Sequence, residues 1–397
     1  MSGASDAVST PPLSDLTLAE FECNTTGGIW NELLVLARQP GVVNLGQGFP
    51  DYGGSKAARA AAAETMTDPS KTALNQYSLP PGLKSLQSAV STYYNKCYGL
   101  QEGATNRAIG PENVLVTVGA TEGLYISLKA LAGPGDEVLM FNPGFPWYLS
   151  TARMVGATPV LVELAGPDFA QDLDKLEKAI TPKTKVLLIN TPHNPCGHCY
   201  TKEELEGFAL LALKYNLFVV SDEARGLAGS IQGVYENVTF GEARHLRIAD
   251  EKGMFERTVT LCSASKLFSL TGWRVGWALS TPELLRGLAV YHGHTSYCAP
   301  SPLQHGLAVA LGVEDGSFEA STCFLANAPP GGGIPELVEG NAELLGNALT
   351  EKGFSVTRPQ ARKRSPTAGG HFLVADTTPL GLKGLECAKF LLTHAKV

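Results

Sequence analysis

Short runs of apolar, largely β-branched residues recur through the middle of the chain: 114-VLVTVG, 137-EVLMFN, 158-TPVLVEL, 185-KVLLIN, 217-LFVVSD, 258-TVTLCS and 275-VGWALS. They are apolar throughout rather than alternating, the mark of strands covered by helices on both faces. Between them lie stretches with helical spacing, among them 121-TEGLYISLKALAG and 202-KEELEGFALLALKYN. The first runs out at the turn Gly133-Pro134-Gly135-Asp136. The second has Thr201 as N-cap and Glu204 three residues on, the pattern of a capping box. Strands alternating with helices predict an α/β fold: a seven-stranded, mostly parallel sheet with helices on both faces and ligands at the strands' carboxyl ends. We place this large domain at residues 54–314, with 1–53 as an N-terminal arm and part of a smaller α/β lobe completed by 315–397. Two stretches, 224-ARGLAGSIQG and 361-ARKRSPTA, interrupt the pattern with small or basic residues, and 328-APPGGG reads as a loop.

Composition narrows the class. The 397 residues carry 31 basic and 38 acidic side chains, a net charge of −7, which argues against a nucleic-acid partner. With 44% hydrophobic and 17% charged residues the chain can bury a core. No run of about 18 mostly apolar residues is present, so no membrane partner is expected. The start, MSGASDAVSTPPLSD, reads as neither a secretory signal nor an Arg-rich transit peptide, and eight cysteines are too sparse for a disulfide scaffold. The expected location is the cytoplasm.

The chemistry concentrates in 263-SASKLFSLTGWRVGW. Lys266 follows a predicted strand, flanked by Ser263 and Ser265, with Arg274 beside the next strand. A lysine at a strand end, nearby hydroxyls and an Arg suited to a phosphate are the parts of a Schiff-base cofactor site, although alone they also describe a solvated loop. Three further segments fall at predicted strand ends. The turn 119-GATEG opens a helix whose amides suit a phosphate. The loop 190-NTPHNPCG holds Asn194, and 221-SDE puts Asp222 at the end of a buried strand.

These segments, with 29-IW, 42-VVNLGQGFPDY, 74-LNQY and 245-HLRIADEKGMFERT, make the chain resemble pyridoxal-phosphate-dependent aminotransferases of fold type I, class I/II. Within that group it is most similar to kynurenine aminotransferases, also called glutamine transaminase K or cysteine-conjugate β-lyase. The resemblance implies pyridoxal 5′-phosphate as cofactor, and Lys266 as the amine that carries it and then shuttles a proton. It implies that Asp222 keeps the pyridine nitrogen protonated and that Asn194 and Tyr235 bond the 3′ oxygen. Phe145 would stack on the ring, while Ser263, Arg274 and the amides of Ala120 and Thr121 hold the phosphate. Tyr77 would reach the phosphate from a partner subunit. On the substrate side, Gly48 offers a backbone amide to the α-carboxylate, Asn194 helps to bind the substrate, and Trp30 and Tyr297 line the side-chain pocket, the latter from the neighbour. Such sharing implies a homodimer. An aromatic amino acid, kynurenine or glutamine would pass its amino group to a 2-oxo acid, with β-elimination from cysteine conjugates as a side reaction. A lyase or synthase of the same fold would keep the same cofactor residues.

Some positions depart from the family pattern. Arg225 stands where a Tyr is usual, and removing the ten residues from Ala224 to Gly233 restores the register, which is why the phenol is assigned to Tyr235. His371 occupies an aromatic position. No residue maps onto the family's carboxylate-binding Arg, and Arg358, Arg362 and Arg364 are poor substitutes, so the small lobe is expected to be incomplete. A cofactor-binding but catalytically impaired paralogue is the alternative. Cys196-Gly197-His198-Cys199 has a redox spacing without its usual context, and His193, His198, His292 and His294 lack metal-ligand spacing, so neither redox use nor a metal is expected.

Overall fold

The structure is a computed structural model and describes residues 29–46, 48, 53–101, 107–166, 169–223, 227–231, 234–237, 245–312, 334–357 and 372–397. It divides into two compact units: residues up to Leu45 together with Leu385–Val397, and Gly46–Gly384. In the smaller unit, helix α1 (Ile29–Ala37) carries Glu32, whose carboxylate pairs with Lys389 at 2.8 Å.

The larger unit is built on a seven-stranded sheet of β1 (Val114–Thr117), β2 (Glu137–Asn142), β3 (Thr158–Glu163), β4 (Thr184–Asn190), β5 (Phe218–Asp222), β6 (Thr258–Ser263) and β7 (Gly276–Leu279). These are the seven runs read from the sequence. Their spatial order is β1-β7-β6-β5-β4-β2-β3. Only β7 runs antiparallel, pairing with β1 and β6. Two small antiparallel pairs lie outside this sheet, Leu227–Ile231 with Val234–Asn237 and Ser355–Thr357 with Val374–Asp376.

Helices α2 (Lys56–Thr67), α3 (Lys84–Tyr98), α4 (Gly119–Leu131), α5 (Trp147–Met154), α6 (Leu173–Lys178), α7 (Lys202–Lys214), α8 (Ala264–Leu267), α9 (Pro282–Thr295), α10 (Ser301–Ala310) and α11 (Ile334–Glu351) accompany the sheet. Because successive strand residues point to opposite faces, β4 sends Val186 and Leu188 to one core and Leu187 and Ile189 to another. The first packs on α4, α5 and α9; the second packs on Leu205, Phe208 and Leu211 of α7. A third core joins Val114, Val116 and the fully buried Trp277 to α2, α3 and α10. Helix α7 starts at the expected capping box, Thr201 Oγ1 accepting from Glu204 N at 3.2 Å and Glu204 Oε2 accepting from Thr201 N at 2.8 Å. No helix among the described residues is long and apolar enough to cross a membrane.

Candidate active site

Because β1, β2, β4, β5 and β6 are parallel, their carboxyl ends share one edge of the sheet, and the antiparallel β7 begins there. That edge receives Gly119 after β1, Phe145 after β2, Asn194 after β4, Asp222 at the tip of β5, Lys266 after β6 and Arg274 before β7. Residues scattered over about 150 positions are thereby delivered to one place by strand direction alone.

Lys266 lies in the single turn α8, and its Nζ donates to the carbonyl oxygen of Gly48. A Cβ at Gly48 would sit 3.0 Å from Cζ of Phe372, so that ring walls the backbone at this point. Phe372 was not among the expected site residues, because it lies beyond the interrupting stretch at 361–368.

Asp222 is fixed at both ends. Its carbonyl accepts from Asn190 Nδ2 at 2.8 Å and from Thr191 N at 3.0 Å. Its Oδ2 accepts from the Tyr148 hydroxyl at 2.5 Å. Tyr148 packs edge-on to Phe145, with ring centroids 5.5 Å apart, and Phe145 stacks on Trp147 at 5.0 Å. Phe145 is thus partly buried against the core and joined through Tyr148 to the carboxylate of Asp222. The amide of Asn194 donates to Asn190 Oδ1 at 2.7 Å, so one side chain, Asn190, holds both the Asn194 loop and the Asp222 strand end.

A buried polar layer backs this loop. His245 Nε2 donates to the Thr191 carbonyl at 3.2 Å while Nδ1 meets the Tyr98 hydroxyl at 3.1 Å. Nδ1 can accept from or donate to the phenol according to its tautomer. Burial pushes His245 down to about 4, and burial also pushes His193 down to about 3. Glu223, wholly buried with Ser221 Oγ donating to it at 2.9 Å, is pushed up to about 8 by the same loss of water.

The phosphate candidates also converge. Gly119 opens α4 with φ +74°, and a Cβ there would come within 2.6 Å of Nη2 of Arg274. The guanidinium therefore rests against the first turn of α4, where Ala120 and Thr121 lie and where helix amides have no intrahelical acceptor. A Cβ on Gly276 would meet Ala120 N at 2.9 Å, so β7 also requires glycine to pass this turn. Ser263, at the end of β6, is buried. In chemistry, a guanidinium, helix N-terminal amides and a hydroxyl suit a phosphate group.

Tyr77 and Tyr297 form an edge-to-face pair, centroids 5.6 Å apart, yet stay 85% and 47% exposed. Both point to solvent rather than into this chain's own core. The side chains of Trp30 and Tyr235, together with His371, Arg358, Arg362, Arg364, Arg225 and the 328–333 loop, lie outside the described residues. Cys196 and Cys199 are buried and not joined in a disulfide, and burial pushes Cys199 far above the ordinary thiol range.

The model of the family "Aminotransferase class I and II" matches residues 40–362. The chain belongs to that family. Its aminotransferase relatives include a protein of Mycobacterium tuberculosis named probable N-succinyldiaminopimelate aminotransferase DapC, 37% identical over 356 residues that cover 89% of this chain and 79% of the relative. Human kynurenine–oxoglutarate transaminase 3 is 34% identical, with 89% and 72% covered. Among solved structures, the N-succinyldiaminopimelate aminotransferase of M. tuberculosis superposes with TM-score 0.79 at 34% identity, covering 98% of this chain and 89% of that one. YbdL of Escherichia coli, whose structure reports a methionine aminotransferase function, superposes with TM-score 0.78 at 25% identity, covering 97% and 89%. The protein is an aminotransferase, and its family is pyridoxal-phosphate-dependent. The fold expected from the sequence, fold type I, agrees with these neighbours.

Proposed function

We propose that this aminotransferase transfers the amino group of an aromatic amino acid, kynurenine or glutamine to a 2-oxo acid, working as a homodimer. The observation that carries the site assignment is the single sheet edge on which Lys266, Asp222, Asn194, Phe145 and the Gly119–Arg274 cradle meet. The exposed Tyr77–Tyr297 pair supports the dimer, since two aromatic side chains turned to solvent suit a neighbour's site. The kynurenine–oxoglutarate transaminases among the relatives support aromatic donors, and the exposed aromatic ring of Tyr297 suits them.

When bound, pyridoxal phosphate supplies an electron sink for charge that develops at the substrate's α carbon. The chain's residues do the rest. Ser263, Arg274 and the amides of Ala120 and Thr121 hold the phosphate. Asp222, oriented by Tyr148, would keep the pyridine nitrogen protonated, and Phe145 would cover the ring. Lys266 would hold the cofactor covalently and then serve as the base that moves the α proton. Asn194 and Tyr235 hold the 3′ oxygen, and the Gly48 amide and Asn194 receive the substrate carboxylate. Elimination of a β substituent from cysteine conjugates is a side reaction open to the same lysine.

The test is visible absorbance of the purified chain with pyridoxal phosphate, followed by phenylalanine, kynurenine, glutamine and N-succinyldiaminopimelate in separate reactions. The expected result is a band from the lysine-bound cofactor that bleaches with the first three donors. Borohydride reduction should place the cofactor's mass on the peptide containing Lys266. Bleaching only with the succinylated donor would overturn the donor assignment. Absence of the band would overturn the site.

A further inference from the structure

An acidic residue in the first turn of an anion-binding helix works against its ligand, because its charge opposes the phosphate that the helix N-terminus attracts. Glu122 is such a residue, in the turn of α4 begun by Gly119. One carboxylate oxygen closes onto the start of its own helix and the other onto the end of α9. Oε2 accepts from Val118 N at 2.5 Å. Oε1 accepts from His292 Nδ1 at 3.0 Å, from Thr295 Oγ1 at 3.0 Å and from the Ser296 hydroxyl. The side chain of His292 is fully buried, and its Nε2 has no hydrogen-bond partner among the described residues, so its polar anchoring is through Nδ1. Burial raises the Glu122 carboxyl, but the bonds from His292, Ser296 and Val118 outweigh it and hold the group below the ordinary carboxylate range.

The donors on α9 lead directly to Tyr297. Ser296 N and Tyr297 N both donate to the His292 carbonyl, at 3.1 and 2.9 Å, and Cys298 N donates to Ser296 O at 2.8 Å. Tyr297 itself adopts φ +65°, in the left-handed region that non-glycine residues rarely occupy. The backbone at Tyr297 is held in this conformation by its neighbours in the turn, and Ser296, the residue before it, is the one that Glu122 holds.

We infer that Glu122 is a positioning residue that ties the phosphate-binding turn at residues 118–121 to the turn that aims Tyr297, so that cofactor binding and the pose of Tyr297 are coupled. The inference rests on the proposal that the first turn holds the phosphate and that Tyr297 serves a neighbouring substrate pocket. By linkage, loosening either turn weakens the function of the other.

The test uses the full-length enzyme and the variants Thr295→Val and Ser296→Ala, which remove donors on the Tyr297 side and leave the cradle residues intact. Apo protein is titrated with pyridoxal phosphate, and the lysine-bound absorbance gives the dissociation constant. Each variant is expected to bind the cofactor roughly three- to tenfold more weakly, the scale of one hydrogen bond. Each should also raise KM for an aromatic donor more than it lowers kcat. Ser296→Ala should add little to Glu122→Ala, and Glu122→Gln should fall between wild type and Glu122→Ala. Wild-type cofactor affinity in both hydroxyl variants overturns the coupling while leaving the cofactor site standing. Failure of the wild-type protein to take up pyridoxal phosphate overturns the cradle, and the coupling with it. Because the hydroxyl variants change two small polar groups, the test stands even if Glu122→Ala fails to fold.

Discussion

Replacing Tyr148 by Phe removes one oxygen and nothing else. The ring of Tyr148 is buried in the core beside α4 and stays edge-on to Phe145, so the apolar contacts survive. What disappears is a 2.5 Å hydrogen bond from a phenol to Oδ2 of Asp222. Hydrogen bonds to a charged group contribute about 1.5–3 kcal/mol. If that energy serves to hold the carboxylate toward the pyridine nitrogen, its loss appears in the step that develops charge on the ring. At about 1.36 kcal/mol per factor of ten, the rate should fall roughly tenfold to a hundredfold or more. The assay is a stopped-flow single turnover: cofactor-loaded enzyme is mixed with phenylalanine and the decay of the lysine-bound absorbance is followed. Thermal unfolding of the same protein should move by only a few degrees, because the cavity is one oxygen atom in size. A single-turnover rate within twofold of wild type would refute the reasoning and mean that the bonds to its carbonyl from Asn190 Nδ2 and Thr191 N suffice to orient Asp222.

Three more outcomes follow from the geometry. Gly119→Ala places a Cβ against the Arg274 guanidinium in a left-handed conformation, and should weaken cofactor binding about tenfold or more, as measured by titrating the apo protein. Asn190→Ala cuts the bonds to the Asp222 carbonyl and from the Asn194 amide together, and should lower both kcat/KM and urea stability, the latter by about 1–3 kcal/mol. His193 and His245 are held near 3 and 4, below the 6.5 of an exposed imidazole, so the unfolded chain takes up their protons first as the pH falls. Stability should therefore drop between pH 6.5 and 4, by about 1.4 kcal/mol per pH unit for each group. Urea midpoints at pH 5 and 7 check this, and His193→Asn should flatten the acid limb. Glu223, raised to about 8, acts in the opposite sense, its contribution fading as pH rises from 4.5 through 8.

The strands were legible because each is a short apolar run with punctuation at its ends, and burial on both faces leaves that signature in composition alone. The capping box of α7 was legible for a similar reason: Thr201 and Glu204 are three residues apart and interact locally. The edge that carries the candidate residues followed from strand direction. The sequence did not show that β7 reverses, since hydrophobic periodicity is the same in either direction. Nor did it show the pairs that lock the site, Tyr148 with Asp222 and Glu122 with His292, which lie 74 and 170 positions apart. His245 opens the segment 245-HLRIADEKGMFERT, but nothing in that segment shows a buried histidine held between the Tyr98 phenol and the Thr191 carbonyl. Phe372 was hidden by the irregular stretch before it.

The convergence of the chemistry on one sheet edge leaves the opposite edge without a role in it. There the turn 133–136 leads into β2, with Gly133 and Gly135 facing open space on the side where a side chain would stand, and Asp136 N closing the turn onto Gly133 O at 3.0 Å. The sheet thus acts as a spacer, one strand length thick, between a reactive rim and a silent one. A fluorophore, a surface tether or a fused domain attached at that turn would sit a sheet's width from Lys266, offering a handle for immobilising the enzyme with its reactive rim turned away from the support.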